Sequence, residues 1–147
     1  MPIYYRISIP LNIALFVCQG LVTSAEFLEV IEVVSSDPRY KRSMIRIIDL
    51  FSIQGRVEWK DMQYAIKRMQ TMAKEEGLEL GPLVALSEST GMNLLAEAIT
   101  LLPRSVPFKL HVFQTLDTAI VALGLSDLAP EIIRFWEESH SDHESQS

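Results

Sequence analysis

The sequence predicts an α/β domain built on a mixed, mostly parallel five-stranded sheet. An antiparallel strand forms its N-terminal edge, helices pack on it, and an extra helix follows at the C-terminus. Three observations lead there. Apolar residues alternate over the first ten positions, short aliphatic runs recur further along, and segments with apolar residues three and four apart separate those runs. A chain of 147 residues suits one domain with one core, and 48% hydrophobic with 22% charged residues is the composition of an ordinary globular protein.

Ile3, Tyr5, Ile7 and Ile9 alternate with Tyr4, Arg6 and Ser8, the period of a strand with one buried face. Pro10-Leu11-Asn12 turns the chain, and Ile13 to Cys18 is uniformly apolar, as in an interior strand covered on both sides. These two elements are expected to form a hairpin. Gly20 ends the second strand, and Thr23 with Glu26 forms a capping-box pattern in which each side chain satisfies a backbone N–H at the start of a helix. That helix would bury Phe27, Val30, Ile31 and Val34 and stop at Asp37-Pro38, because the residue before a proline disfavours the helical region.

Met44 to Leu50 reads as a third strand, followed by a loop through Ser52, Gln54 and Gly55. Trp59, Met62, Ile66, Met69 and Ala73 then mark the apolar face of a second helix that Gly77 ends. Leu83 to Leu86 is a short fourth strand, and Met92, Leu95, Ala96, Ile99 and Leu102 lie on a helix closed by Pro103. A fifth strand covers Phe108, Leu110 and Val112, and Thr115 caps a short helix that ends at Gly124. A last helix opens at Ser126 or Asp127 and docks Leu128, Ile132, Phe135 and Trp136. The domain is expected to span 1–138, with the polar stretch 139–147 a disordered tail. Helices between successive strands imply parallel pairing of strands two to five.

A net charge of −6 and a pI near 5.0 supply no positive field for a phosphate backbone, so nucleic acid is not an expected partner. The densest basic cluster, Arg39, Lys41 and Arg42, reads as a solvated loop. Cys18, the lone cysteine, excludes an internal disulfide and a cysteine-based metal cage; in its apolar run it reads as a buried, inert thiol in a reducing cytoplasm. Pro10, Asn12, Gln19 and Gly20 interrupt the apolar N-terminal stretch, against both a secretory signal and a membrane span.

Asp49 stands at the carboxyl end of the third strand, the edge of an open α/β sheet where ligands collect. Ser87, Ser89, Thr90 and Gly91 precede a helix, so their hydroxyls and N–H groups could hold an anion or simply cap the helix. Glycine-rich nucleotide fingerprints and a nucleophile elbow are both missing from the sequence, and the one evident companion carboxylate for Asp49 is Glu88, on the exit loop of the expected neighbouring strand. His140 and His143 fall in the polar tail and read as solvated; His111 reads as a surface or interface residue. No metal ligand set or cofactor is expected.

Several pieces, in order, resemble the SpoIIAA-like branch of the STAS superfamily, relatives of bacterial anti-sigma-factor antagonists. Gly20-Leu21-Val22-Thr23 with Glu26-Phe27-Leu28 resembles its first-helix entry, and Asp37-Pro38-Arg39-Tyr40 its Asp-Pro-x-Tyr. Ile48-Asp49-Leu50 is similar to its strand-ending Asp-Leu, Val84-Ala85-Leu86 with Gly91-Met92 to its fourth strand and helix entry, and Val112-Phe113 with Ala119 to its final strand and helix. The resemblance implies a STAS-like fold and a non-enzymatic regulatory or protein-interaction module, with an apolar, lipid-like small ligand as the alternative. The antagonists' phosphorylated serine turn has no counterpart at Gly55 to Asp61, and Ser52 lies earlier without its flanking pattern.

The expected partner is therefore another protein or a second copy of the chain, met at Asp49, Ser52, Ser87, Ser89, Thr90 and Gly91 or through a sheet edge or the last helix. An enzyme using Asp49 with the Ser87–Thr90 loop is the third reading. On the favoured one, replacing Asp49 by alanine leaves folding intact.

Overall fold

The computed structural model describes residues 3–53, 67, 71, 81–88 and 110–146. Five strands, β1 (Ile3–Ser8), β2 (Ile13–Gly20), β3 (Ile45–Ile53), β4 (Leu83–Leu86) and β5 (Leu110–Phe113), form a single sheet in the order β1-β2-β3-β4-β5. β1 runs antiparallel to β2 and the remaining pairs are parallel, as the alternation and the intervening helices predict. The described helices are α1 (Ser24–Ser35), α2 (Leu116–Ala122) and α3 (Ala129–Gln146). The helical stripe led by Trp59 and the helix from Met92 to Leu102 lie outside the described residues, although Lys67 and Thr71 are each helical and Thr71 Oγ1 donates to the Lys67 carbonyl. Among the described residues, no helix is long and apolar enough to cross a membrane.

The hairpin closes on a four-residue loop. Asn12 N–H donates to the Ile9 carbonyl at 3.1 Å, and Asn12 takes φ = 57°, a left-handed conformation its short polar side chain tolerates. Alternation then sorts the strands between two cores. Ala14, Phe16, Cys18 and Ile48 face α1 with Val34 and Met44, whereas Leu15, Val17, Ile47, Val84 and Leu86 face Ala119, Ile120 and Ile132 of α2 and α3. Burying each of the larger side chains stabilises the fold by about 1.5–3 kcal/mol.

The Thr23–Glu26 capping box forms at the start of α1, Thr23 Oγ1 accepting from Glu26 N–H at 3.1 Å and Glu26 Oε1 from Thr23 N–H at 3.3 Å. After α1, Asp37 ties this corner to the edge strand: its carboxylate accepts from Arg39 Nη2 at 2.8 Å, Arg39 Nε at 3.1 Å and the Tyr5 hydroxyl at 3.0 Å. The Arg39 guanidinium and backbone N–H hold the Asp37 carboxyl well below the usual carboxylate range. Burial, and then the Asp37 carboxylate it bonds, push the Tyr5 phenol up.

Element boundaries differ from expectation in five places. β2 continues past Cys18 because Gln19 and Gly20 still pair, with Ser52 and Ile53, and the same pairing extends β3 beyond Leu50. β5 reaches Phe113, whose carbonyl accepts from Ser87 N–H at 3.0 Å. Ser126 opens a short 3-10 turn, and the α-helix proper begins at Ala129. Finally, α3 runs on to Gln146, so its end does not coincide with the boundary expected after Glu138.

Candidate functional site

β2 and β3 slip by one residue near their carboxyl ends. Val17 pairs with Asp49 and Gln19 with Ser52, so Cys18 alone stands opposite Leu50 and Phe51. Such a bulge takes a backbone N–H out of the ladder, and a side chain must satisfy it. Asp49 does so: its Oδ1 accepts from Phe51 N–H at 2.9 Å. Beyond the bulge the alternation is offset, and Leu50 and Ile53, three apart, both pack toward α1.

Asp49 is only 2% exposed, and its other carboxylate oxygen, Oδ2, lies 2.7 Å from His140 Nε2 on α3. His140 Nδ1 lies 2.7 Å from the Trp136 carbonyl, one turn back along the same helix. The imidazole also lies against the Trp136 indole, ring centroids 4.4 Å apart, and the indole meets Phe51 edge-on at 6.3 Å. A bulge carboxylate, a helix histidine and two aromatic rings thus join the end of β3 to α3. Burial, and then the charge of Asp49, push the Cys18 thiol up to about 12, which keeps it protonated and inert as its apolar run predicts.

This geometry limits the chemistry. A carbonyl oxygen can only accept, so Nδ1 carries a hydrogen, and Nε2 is engaged by the carboxylate. A histidine acting as general base needs a ring nitrogen open to substrate, and here both are occupied.

The expected site residues separate. Asp49 forms the centre of the cluster, and its neighbour in register on β4 is Leu86, one residue before Ser87. Ser87 is 5% exposed, and its backbone continues the β4–β5 pairing. Ser52 is exposed and pairs across the ladder with Gln19 beyond the bulge. Ser89, Thr90 and Gly91 lie outside the described residues. His111 is partly buried and stacks on Phe113, centroids 6.1 Å apart.

His140 is the residue the sequence reading missed. The reading of 139–147 as a solvated tail is corrected at its first two positions: Ser139 is 1% exposed, with Oγ donating to the Phe135 carbonyl at 2.7 Å, and His140 meets Asp49. The signal was present, because 132, 135, 136, 139 and 140 continue one stripe at three- and four-residue spacing. Polar residue types concealed it. Asp49 likewise does more than expected, since removing it would take the acceptor from Phe51 N–H and the carboxylate from His140 Nε2 together.

On the opposite face a small cavity of about 20 Å³, room for one water molecule, is lined by Phe16, Phe27, Ile31, Tyr40, Ile48 and the buried Arg46 among the described residues. Arg46 Nη2 donates to the Gly81 carbonyl at 3.0 Å.

No family model matches the chain, and no curated protein matches it. Among solved structures it is similar to an uncharacterized protein of the DUF3478 family, with a SpoIIAA-like fold, from Shewanella loihica PV-4. That similarity covers 82% of this chain and 91% of the other, with a TM-score of 0.52 and 13% identity. The chain has a SpoIIAA-like α/β fold.

Proposed function

We propose that this chain is a non-enzymatic regulatory module that binds another protein, or a second copy of itself, at the carboxyl end of its sheet. The observation that carries the reading is a pair of exposed apolar side chains at that end. Leu21, 72% exposed, follows Gly20, whose ladder partner is Ile53, and Phe51, 39% exposed, stands on β3 just before that pair. Exposed apolar side chains at one end of a sheet suit a protein contact better than a soluble polar substrate. The closed Asp49–His140 pair supports the non-enzymatic half of the reading, since it presents no open ring nitrogen to a reactant.

The alternative is a carrier for an apolar small ligand. Small-molecule sites measure roughly 300–1,000 Å³, and among the described residues the cavity beside α1 would have to widen greatly to serve as one.

Leu21→Asp and Phe51→Asp test the proposal, both substitutions being at exposed positions. Wild type and variants are compared by crosslinking in extract of the host cell and by light scattering after gel filtration. A crosslinked partner or a dimer that both variants lose supports the reading. Identical crosslinks and mass in all three proteins refute it, as does turnover in a broad substrate panel that His140→Ala abolishes.

A further inference from the structure

The imidazole of His140 lies between two acceptors, the Trp136 carbonyl and Asp49 Oδ2, each 2.7 Å from a ring nitrogen. With Asp49 ionised, both contacts are hydrogen bonds only when both ring nitrogens carry hydrogen, that is, in the imidazolium form. If the second proton sits instead on Asp49, which then donates to Nε2, the pair holds the same number of protons. A pair that has lost that proton turns a ring lone pair toward either the carbonyl or the carboxylate. We infer that Asp49 and His140 form a proton-dependent latch that fastens the C-terminal turns of α3 onto the bulged end of β3.

Three further features fit this assignment. Asp49 is fixed in place before it meets the ring, because Oδ1 is held by Phe51 N–H. The Trp136 indole against the ring favours a cation there. The His140 side chain is 28% exposed, so its proton can exchange with solvent. After His140 the helix continues to Gln146, and the sequence from Ser141 on contains no aliphatic residue.

The titratable groups shown to interact with the pair, among the described residues, come from β2 and β3, and further ionisable positions lie along α3 itself. Asp49 is on β3, and Cys18 on β2 feels the Asp49 charge and stays a thiol. Glu137 precedes His140 by one turn on α3. The sign follows from the geometry. The proton belongs to the latched state, so latching is complete below the free imidazole pKa of about 6.5 and is lost as pH rises through the titration of the folded pair. The inference concerns the closure of α3 and stands whether or not a partner binds at Leu21 and Phe51.

Amide hydrogen exchange of the full chain between pH 5.5 and 8.5, corrected for intrinsic rates and read by mass spectrometry on peptides covering 137–146, tests the latch. Protection there should fall by about ten-fold or more across the range, the scale of one charge-assisted hydrogen bond. His140→Gln should abolish that dependence, and His111→Gln and His143→Gln should preserve it. Wild-type protection that does not change with pH overturns the latch, and so does an unchanged dependence in His140→Gln. Should His140→Gln fail to fold, ring ¹⁵N shifts of wild-type His140 and the ¹³C shift of the Asp49 carboxyl decide: two protonated ring nitrogens, or one bare nitrogen facing a protonated Asp49, at pH 5.5 support the latch, and one bare ring nitrogen beside a fully ionised Asp49 overturns it.

Discussion

Replacing Asp49 with alanine should destabilise the domain by about 2–3 kcal/mol, and the sum can be built from two contacts. Phe51 N–H loses its acceptor at 2.9 Å; this part-buried donor would regain some water, which puts the loss at about 1 kcal/mol, the low end for an unsatisfied group. His140 loses its carboxylate at 2.7 Å. Breaking a fully buried ion pair costs about 3–5 kcal/mol, but the ring is 28% exposed, and solvent screening reduces this to about 1–2 kcal/mol. For a chain of this length the total corresponds to a fall in Tm of roughly 5–10 °C. Urea denaturation followed by far-ultraviolet circular dichroism at pH 6 measures it. Asp49→Asn, which keeps an acceptor for Phe51 N–H, should fall between wild type and alanine. A midpoint for Asp49→Ala within about 0.5 kcal/mol of wild type, the range of an ordinary surface substitution, would refute the reasoning that the carboxylate closes the bulge.

Other sites give sharp expectations. A Cβ at Gly81 would press on the Met44 carbonyl and come within 2.7 Å of the Ser43 carbonyl, both backbone atoms that cannot yield cheaply; Gly81→Ala should therefore cost about 1–3 kcal/mol in a chemical melt. Leu86, 0% exposed, should lose about 2–5 kcal/mol on truncation to alanine, whereas Val121→Ala, at a position 69% exposed, should move the midpoint by less than about 0.5 kcal/mol. Asp37 titrates below its ordinary range when folded, so its contribution is present above the unfolded pKa of about 4 and is lost as pH falls through the folded value. Asp37→Asn should flatten the acid limb of a stability–pH profile, and an unchanged limb would mean that the Arg39 and Tyr5 contacts do not persist in solution.

The sheet was legible because its physics is local. Alternation at Ile3, Tyr5 and Ile7 and the unbroken run Ile13 to Cys18 fix which faces are buried, although Ile9 falls in the turn and is exposed, and the capping residues Thr23 and Thr115 mark helix starts that the structure reproduces. The ends of β2 and β3 were not legible, because the bulge arises from a register slip between strands far apart in sequence, and Gln19, Gly20 and Ser52 are weak strand formers. Asp49 stood out by its position at a strand end, but its partner did not. His140 is 91 residues away, in a stretch whose composition resembles solvated chain, and only the helical spacing from Ile132 and Trp136 hints that it faces inward. Polar residues that satisfy one another across a fold carry no hydrophobic signature, so reading by hydropathy passes over them.

A double-mutant cycle between Asp49→Ala and His140→Ala, read by urea denaturation at pH 6, probes most directly the claim that these two side chains close on each other. The account predicts that the single losses fail to add, with a coupling free energy of at least about 1 kcal/mol. Losses that add to within about 0.3 kcal/mol would contradict it, because the carboxylate and the imidazole would then act independently.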